Sequence, residues 1–476
     1  MDTKRTMKYV LISCGFLLFV GCASPLKERK ENKTVPASFN NLQDTVNTAK
    51  MKWKEFFTDP YLEVLIDTAL KNNQEYNITL QEIIIAQNEI RARKGEYLPF
   101  VGLGAAGGVD KVGEYTRNGA VEKNLNIKDG TKFPDPLTDM MFGANASWEV
   151  DIWKKLRNAR KSAVLRYLGT VEGRNFMVTN IISEIATSYY ELMAFDNQLE
   201  ILRQNIEIQQ NALEIVKMEK QAAKVTELAV RRFEAEVLKN QSRQYHILQQ
   251  IVETENRINF LIGRYPQPVQ RNSQGFQSLV PAKVQTGVPS QLLQNRPDIR
   301  QAELQLAAAR LDIKVARANF YPSLRITAGV GYNAFNAKYL VTSPQSLMYT
   351  LAGELVAPLV NRNAIKAYYY SATAKQIQAA YNYERTILNA YVEVANQVAN
   401  INNLEQSYNL RTQQVQALTQ SIEISTRLFR SARADYMEVL LTQRDAVEAK
   451  FELVETKMEQ MHAMVSVYRA LGGGWK

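Results

Sequence analysis

The run Gly102-Leu103-Gly104-Ala105-Ala106-Gly107 has the spacing G-x-G-x-x-G, whose glycines let a backbone approach a dinucleotide pyrophosphate. That chemistry needs the motif to leave a strand and open a helix, so that the phosphates meet helical N–H groups. Here Gly108, Val109 and Gly113 follow, and no helical period begins. Small residues inside a strand account for the run. His246 and His462 are the only histidines, and neither lies in H-E-x-x-H or beside cysteine at a ligand spacing. Glu234 and Glu236 belong to an ordinary helical charge pattern, and neither a P-loop nor G-x-S-x-G occurs. The sequence therefore predicts no catalytic residue, no metal site and no step driven by nucleotide. An enzyme is not expected.

The chain of 476 residues carries a net charge of +10. Its lysines and arginines mostly alternate with acids along predicted helices, in short runs such as Arg157-Asn158-Ala159-Arg160-Lys161. A nucleic-acid surface would concentrate them with aromatics on one face, so nucleic acid is not an expected partner. Lys4, Arg5 and Lys8 precede the apolar segment Tyr9 to Val20, which is too short to span a bilayer and has the form of a secretory signal. Phe19-Val20-Gly21-Cys22 closes it and resembles a bacterial lipobox, with Cys22 acylated and made the new N-terminus. Residues 1–21 are then the signal and 22–58 a lipid-anchored tether, polar and extended from Leu26 to about Ala49. Cys14 would leave with the signal, so the mature chain has no disulfide.

The elements that remain must be long. Arg174 to Ile262 and Leu359 to Leu471 contain neither glycine nor proline. As single helices they would extend roughly 130 and 170 Å, so each must fold back as a hairpin. Apolar residues recur at spacings of three and four along each. In the first they run Val178, Ile181, Ile185, Tyr189, Leu192, Phe195, Leu199, Leu202 and Ile206; in the second, Ile387, Tyr391, Val394, Val398, Ile401, Leu404 and Tyr408. An average near 3.5 predicts left-handed coiling against neighbouring helices.

Each hairpin follows a pair of strand-like segments. Ala144 to Val150 and Leu324 to Tyr332 alternate apolar with polar, and Phe100 to Val109 and Leu347 to Val356 are their weaker partners. Such alternation suits a barrel wall between lipid and water. One unit is thus written twice: 59–270, with strands about 100–113 and 141–150, and 287–476, with strands about 323–335 and 346–357, joined by a linker at 271–286 within the stretch Arg264 to Pro289, which holds Pro266, Pro268, Pro281, Pro289, Gly275 and Gly287. Four strands cannot close a barrel, and an open edge in lipid leaves backbone groups unpaired. Two chains would supply eight strands and three would supply twelve; composition does not choose.

The residues now point to a family. Trp53-Lys54-Glu55-Phe56-Phe57-Thr58-Asp59-Pro60, Ser147-Trp148-Glu149-Val150-Asp151-Ile152-Trp153, and Arg296-Pro297-Asp298-Ile299-Arg300-Gln301-Ala302-Glu303 resemble outer-membrane efflux lipoproteins. So do Ala432-Arg433-Ala434-Asp435-Tyr436-Met437-Glu438-Val439-Leu440 and the terminal Leu471-Gly472-Gly473-Gly474-Trp475. The resemblance covers the mature chain in order. It implies a mixed α and transmembrane β fold: a homotrimer sharing a twelve-stranded barrel, four strands per chain, continued through the periplasm by an α-helical coiled-coil barrel. It implies passive export from a periplasmic adaptor and an inner-membrane pump, gated at the hairpin tips. The rival is a periplasmic coiled-coil scaffold without a pore.

By that resemblance Phe429, Asp435, Met437, Glu438 and Leu441 form the periplasmic gate, with Met437 the apolar constriction. Gln221, Thr226, Leu228, Ser431 and Ala432 form adaptor-docking tips. No cofactor is implied beyond the lipid (including palmitate) on Cys22. The chain departs from the family pattern at Leu441, where many relatives have aspartate, and at Lys154, where glycine is common.

Overall fold

A computed structural model describes residues 27–39, 46–128, 130–282, 285–431 and 433–475. The signal segment, Cys22 and Ala432 lie outside the described residues. The chain divides into two compact units. One takes Met1–Glu31, Ala86–Arg166 and Gln305–Tyr381; the other takes Asn32–Ile85, Tyr167–Leu304 and Asn382–Lys476.

The first unit is organised by a sheet. Its strands are β1 (Phe100–Asp110), β2 (Leu137–Val150), β3 (Ser323–Ala334) and β4 (Leu347–Val356), paired antiparallel in that order. The two strand pairs expected from the sequence are therefore joined through β2 and β3. Register decides the faces, because side chains alternate with period two. Leu103 pairs with Ala144, Ala144 with Val330, and Val330 with Tyr349. Every residue sharing that face from Val101 to Leu355 is uncharged and nearly all are apolar, including Phe142, Trp148, Ile326 and Leu351. The other face carries glycines, Asn145, Ser147, Thr327, Thr350 and the charged row Glu149–Arg325–Glu354. Gly143 and Gly331 face each other across β2 and β3, where a Cβ would come within 2.5 Å and 2.4 Å of the opposite backbone. No side chain fits at that crossing.

Both strand-to-helix joints turn through a residue of positive φ, Lys154 at 59° and Asn361 at 54°. After the first, Asp151 accepts from the backbone N–H groups of Leu156 and Arg157, each at 3.0 Å, and fixes the helix start. Asparagine tolerates the left-handed region; lysine pays for its Cβ there. Lys154→Gly is expected to stabilise the protein by about 1 kcal/mol. Thermal unfolding in detergent measures it, and a lowered midpoint would contradict the assigned backbone conformation.

The longer helices are α1 (Pro60–Asn72), α2 (Gln74–Tyr97), α3 (Lys155–Gln221), α4 (Glu227–Leu261), α5 (Pro297–Ala318), α6 (Asn363–Arg430) and α7 (Tyr436–Ala470). Both hairpins form where the sequence predicts them. α1 and α2 are separated at Asn73, whose side chain accepts from the Tyr76 N–H and donates to Leu261 O, both at 2.8 Å. A short polar residue that can satisfy both ends outweighs helix continuity there.

The core of the second unit gathers Ile181, Ile185, Tyr189, Leu192 and Leu202 of the α3 seam with Ile251 and Ile258 of α4 and Phe451, Met464 and Tyr468 of α7. The segments read as tether and linker join it. In the tether (22–58), Trp53, Phe56 and Phe57 are buried, with Phe56 stacked on Tyr468 at 4.0 Å. Phe39 is also buried, 5.3 Å from the Tyr391 ring. In the linker (271–286), Phe276 is fully buried, and Arg271 binds Asp196 and Glu255 at 2.5 Å each. Lys457, which is buried, donates to Leu279 O at 2.7 Å. Sparse aromatics in polar sequence carry enough area to dock these segments, which average composition hides.

Candidate functional site

The two hairpins of the second unit meet at their tips. The first turns after Gln221 with a Schellman-type closure: Ala223 N–H donates to Lys220 O and Lys224 N–H to Glu219 O, both at 2.9 Å. Ala223 sits at φ 55°, and Thr226 precedes α4. The second turns after Arg430, with Asp435 preceding α7. Leu213, Val216, Ala229, Val230, Phe233, Val237 and Leu440 form a small separate core there, flanked by Tyr436 and Met437.

The sequence-predicted residues divide around this core. Met437 and Phe429 are half-buried. Asp435, Glu438, Leu441, Gln221, Thr226, Leu228 and Ser431 are exposed. Met437 is held from α4, since the Arg232 guanidinium lies 3.2 Å from its sulfur. Three turns along, Arg243 pairs with Glu448 at 2.9 Å and lies 3.9 Å from the Phe451 ring. Both contacts step by eleven residues on both helices, the interval that parallel neighbours in register require. Sequence reasoning passed over Arg232 and Arg243. The shared eleven-residue step of Arg232/Arg243 and Met437/Glu448 was the available signal.

Charge at the first tip is internally balanced. Lys220, then Arg231, hold the Glu227 carboxyl below its usual range, and Glu234 and Glu227 raise Arg231. Between tip core and main core lies a buried polar layer of Asn205, Gln209, Asn240 and Gln443. Asn240 donates to Gln209 Oε1 at 2.8 Å, while Asn205 Nδ2, Gln209 Nε2 and Gln443 Oε1 have no partner among the described residues. This layer interrupts the apolar seam of the coil between the two cores.

His246 is exposed on α4. His462 Nε2 lies 3.1 Å from Thr187 O, which makes Nε2–H the donor, and burial holds its pKa below the ordinary value.

A family model described as outer membrane efflux protein matches residues 65–264 and 288–473. The pyoverdine export outer membrane protein OpmQ of Pseudomonas aeruginosa is 27% identical over 474 residues, covering 99% of this chain and 98% of that one. The cation efflux system protein CusC of Escherichia coli K12 is 25% identical over 466 residues, covering 97% and 98%. In three dimensions the chain is similar to solved CusC, with TM-score 0.81, 24% identity, and 94% and 100% coverage. It is likewise similar to the outer-membrane channel OprN, with TM-score 0.82, 20% identity, and 94% and 99% coverage. Likeness at such identities shows the fold. With both of its long halves matched by the family model, the chain belongs to the outer membrane efflux proteins and is a transport channel of the outer membrane, not an enzyme.

Proposed function

We propose that three copies of this chain form one conduit, each contributing four strands to a twelve-stranded barrel, with the helices continuing it into the periplasm as a tunnel. One observation carries this: the sheet has a wholly uncharged face, an opposite face that holds every charged strand residue and most of the glycines, and two long unpaired edges, β1 and β4. In hydrocarbon those edges need partners, and sister copies have the complementary ones. The duplicated order of helix, strand pair and hairpin fits a wall in which each copy counts twice. We infer a lipid anchor at Cys22, an adaptor at the exposed tips, an inner-membrane pump behind it, and small solutes, drugs among them, as cargo. Relatives named for pyoverdine, toluene and cations suggest that the duct itself is tolerant.

Gating would be a movement of the tips below the polar layer, releasing Met437 from Arg232. Purified protein in planar bilayers should give a defined conductance; silence from folded protein would favour the coiled-coil scaffold. Met437→Gly should raise basal permeability to large antibiotics, and unchanged uptake would remove Met437 from the constriction. Cys22→Ser should abolish incorporation of radioactive palmitate, whereas persistent labelling would place the anchor elsewhere.

A further inference from the structure

The net charge of +10 is not spread evenly once the chain folds. The four helical segments flanking the strands (86–98, 151–166, 305–322 and 358–381) hold fifteen lysines and arginines against four acids, an excess of eleven. The rest of the chain is close to neutral. All four segments lie in the first unit and lead into or out of the sheet. Lys94, Lys154, Arg160, Lys161, Lys314 and Lys366 are exposed there, and none has a carboxylate partner among the described residues. By helix rise, each lies within roughly 15 Å of a strand end or of the turn beside it.

The apolar face of the sheet runs directly into this collar. Beyond Trp148 and Val150 come Ile152 at 48% and Trp153 at 46% exposure, with Tyr321 at 42% and Val360 at 88%. Trp153 stacks on Tyr321 at 4.7 Å, and its Nε1–H donates to Pro322 O at 2.7 Å. Aromatics of this kind settle where hydrocarbon meets headgroups. Cations placed one or two turns further out meet the phosphate layer, where their mutual repulsion is relieved by fixed negative charge.

We propose that this collar binds anionic phospholipid headgroups of the periplasmic leaflet and sets the depth of the chain in the membrane. The proposal rests on the placement of the sheet in lipid given under the proposed function. An anionic cargo in the tunnel is the competing occupant. It is disfavoured because the sheet face opposite the uncharged one carries Asp110, Asp139, Glu149 and Glu354 against Arg325 alone, a net negative wall for an anion.

The test uses full-length protein in nanodiscs of equal phosphatidylcholine and phosphatidylglycerol, with retained lipids counted by mass spectrometry. In wild type the ratio of retained phosphatidylglycerol to phosphatidylcholine should be roughly tenfold above the bulk ratio. The variant Lys154→Gln/Arg160→Gln/Lys161→Gln/Lys366→Gln should fall to the bulk ratio while keeping its single-channel conductance. Equal retention of both lipids by wild type, or enrichment unchanged in the variant, overturns the proposal. So does a shifted reversal potential in the variant with unchanged lipid retention, which would put these cations in the tunnel. Insertion and conductance in pure phosphatidylcholine keep the membrane placement standing by itself; failure to insert in any lipid removes both.

Discussion

Leu351→Arg should eliminate assembled channel from the outer membrane, whereas Ala352→Arg, one residue on, should leave assembly intact and alter only conductance. Leu351 lies mid-strand in β4, 79% exposed in the single chain, on the face shared with Ala328, Ala146 and Val101. Arginine near the bilayer midplane of a barrel costs about 2–4 kcal/mol per copy. In a trimer it appears three times, giving about 6–12 kcal/mol against assembly. Ala352 pairs with Thr327 on the small, polar face, where a long cation can reach water. Outer-membrane abundance and the oligomer eluted in detergent report the first effect, and single-channel current reports the second. If both variants assemble equally, the register places the wrong face in lipid. If the outcomes are reversed, the sheet is inside out.

Arg296→Ala should lower stability by about 3–5 kcal/mol, the range for stranding one side of a buried ion pair. Arg296 is 6% exposed, and its guanidinium binds Asp298 at 2.8 and 3.0 Å and Glu393 at 2.7 Å. It also donates to Ala470 O at 2.8 Å, which ties the start of α5 to the end of α7. Removing it leaves two carboxylates facing each other, with only the more exposed Arg469 still on Glu393. Arg296→Lys should recover part of the loss, since an ammonium keeps the charge but not the forked geometry. Trp475 is a local reporter, because its Nε1–H lies between Asn295 O at 3.3 Å and Gly472 O at 2.9 Å. A red-shifted tryptophan signal should accompany the lowered unfolding midpoint; an unchanged midpoint would mean that the three charges are solvated.

The same corner shows what could be read in advance. Arg296-Pro297-Asp298 and the terminal Leu471-Gly472-Gly473-Gly474-Trp475 were each visible as family motifs, with no hint that they touch. In the fold, a Cβ on Gly472 would come within 2.6 Å of Asn295 O, so the glycine is there for close approach. The resemblance placed the tips near Gln221 to Leu228 and Ser431 to Leu441, and α3 ends at Gln221 and α6 at Arg430. Their contacts were not legible. Arg232 and Arg243 look like solvated helix charges until α7 is laid beside α4.

Sequence alone determined the quantities that depend on near neighbours: two hairpins, four pleated segments, the missing chemistry of catalysis, and family membership. Periodicities of 2 and 3.5 are written into any ten consecutive residues, and the backbone has few ways to answer them. Tertiary structure decided what depends on residues far apart in the chain. It brought the apolar sides of four strands onto one face, docked aromatics from stretches polar enough to pass for tether and linker, and gathered scattered cations into a collar beside the sheet. Those outcomes turn on which surfaces meet across a hundred residues or more, and the free energy that selects them exists only once the surfaces are in contact.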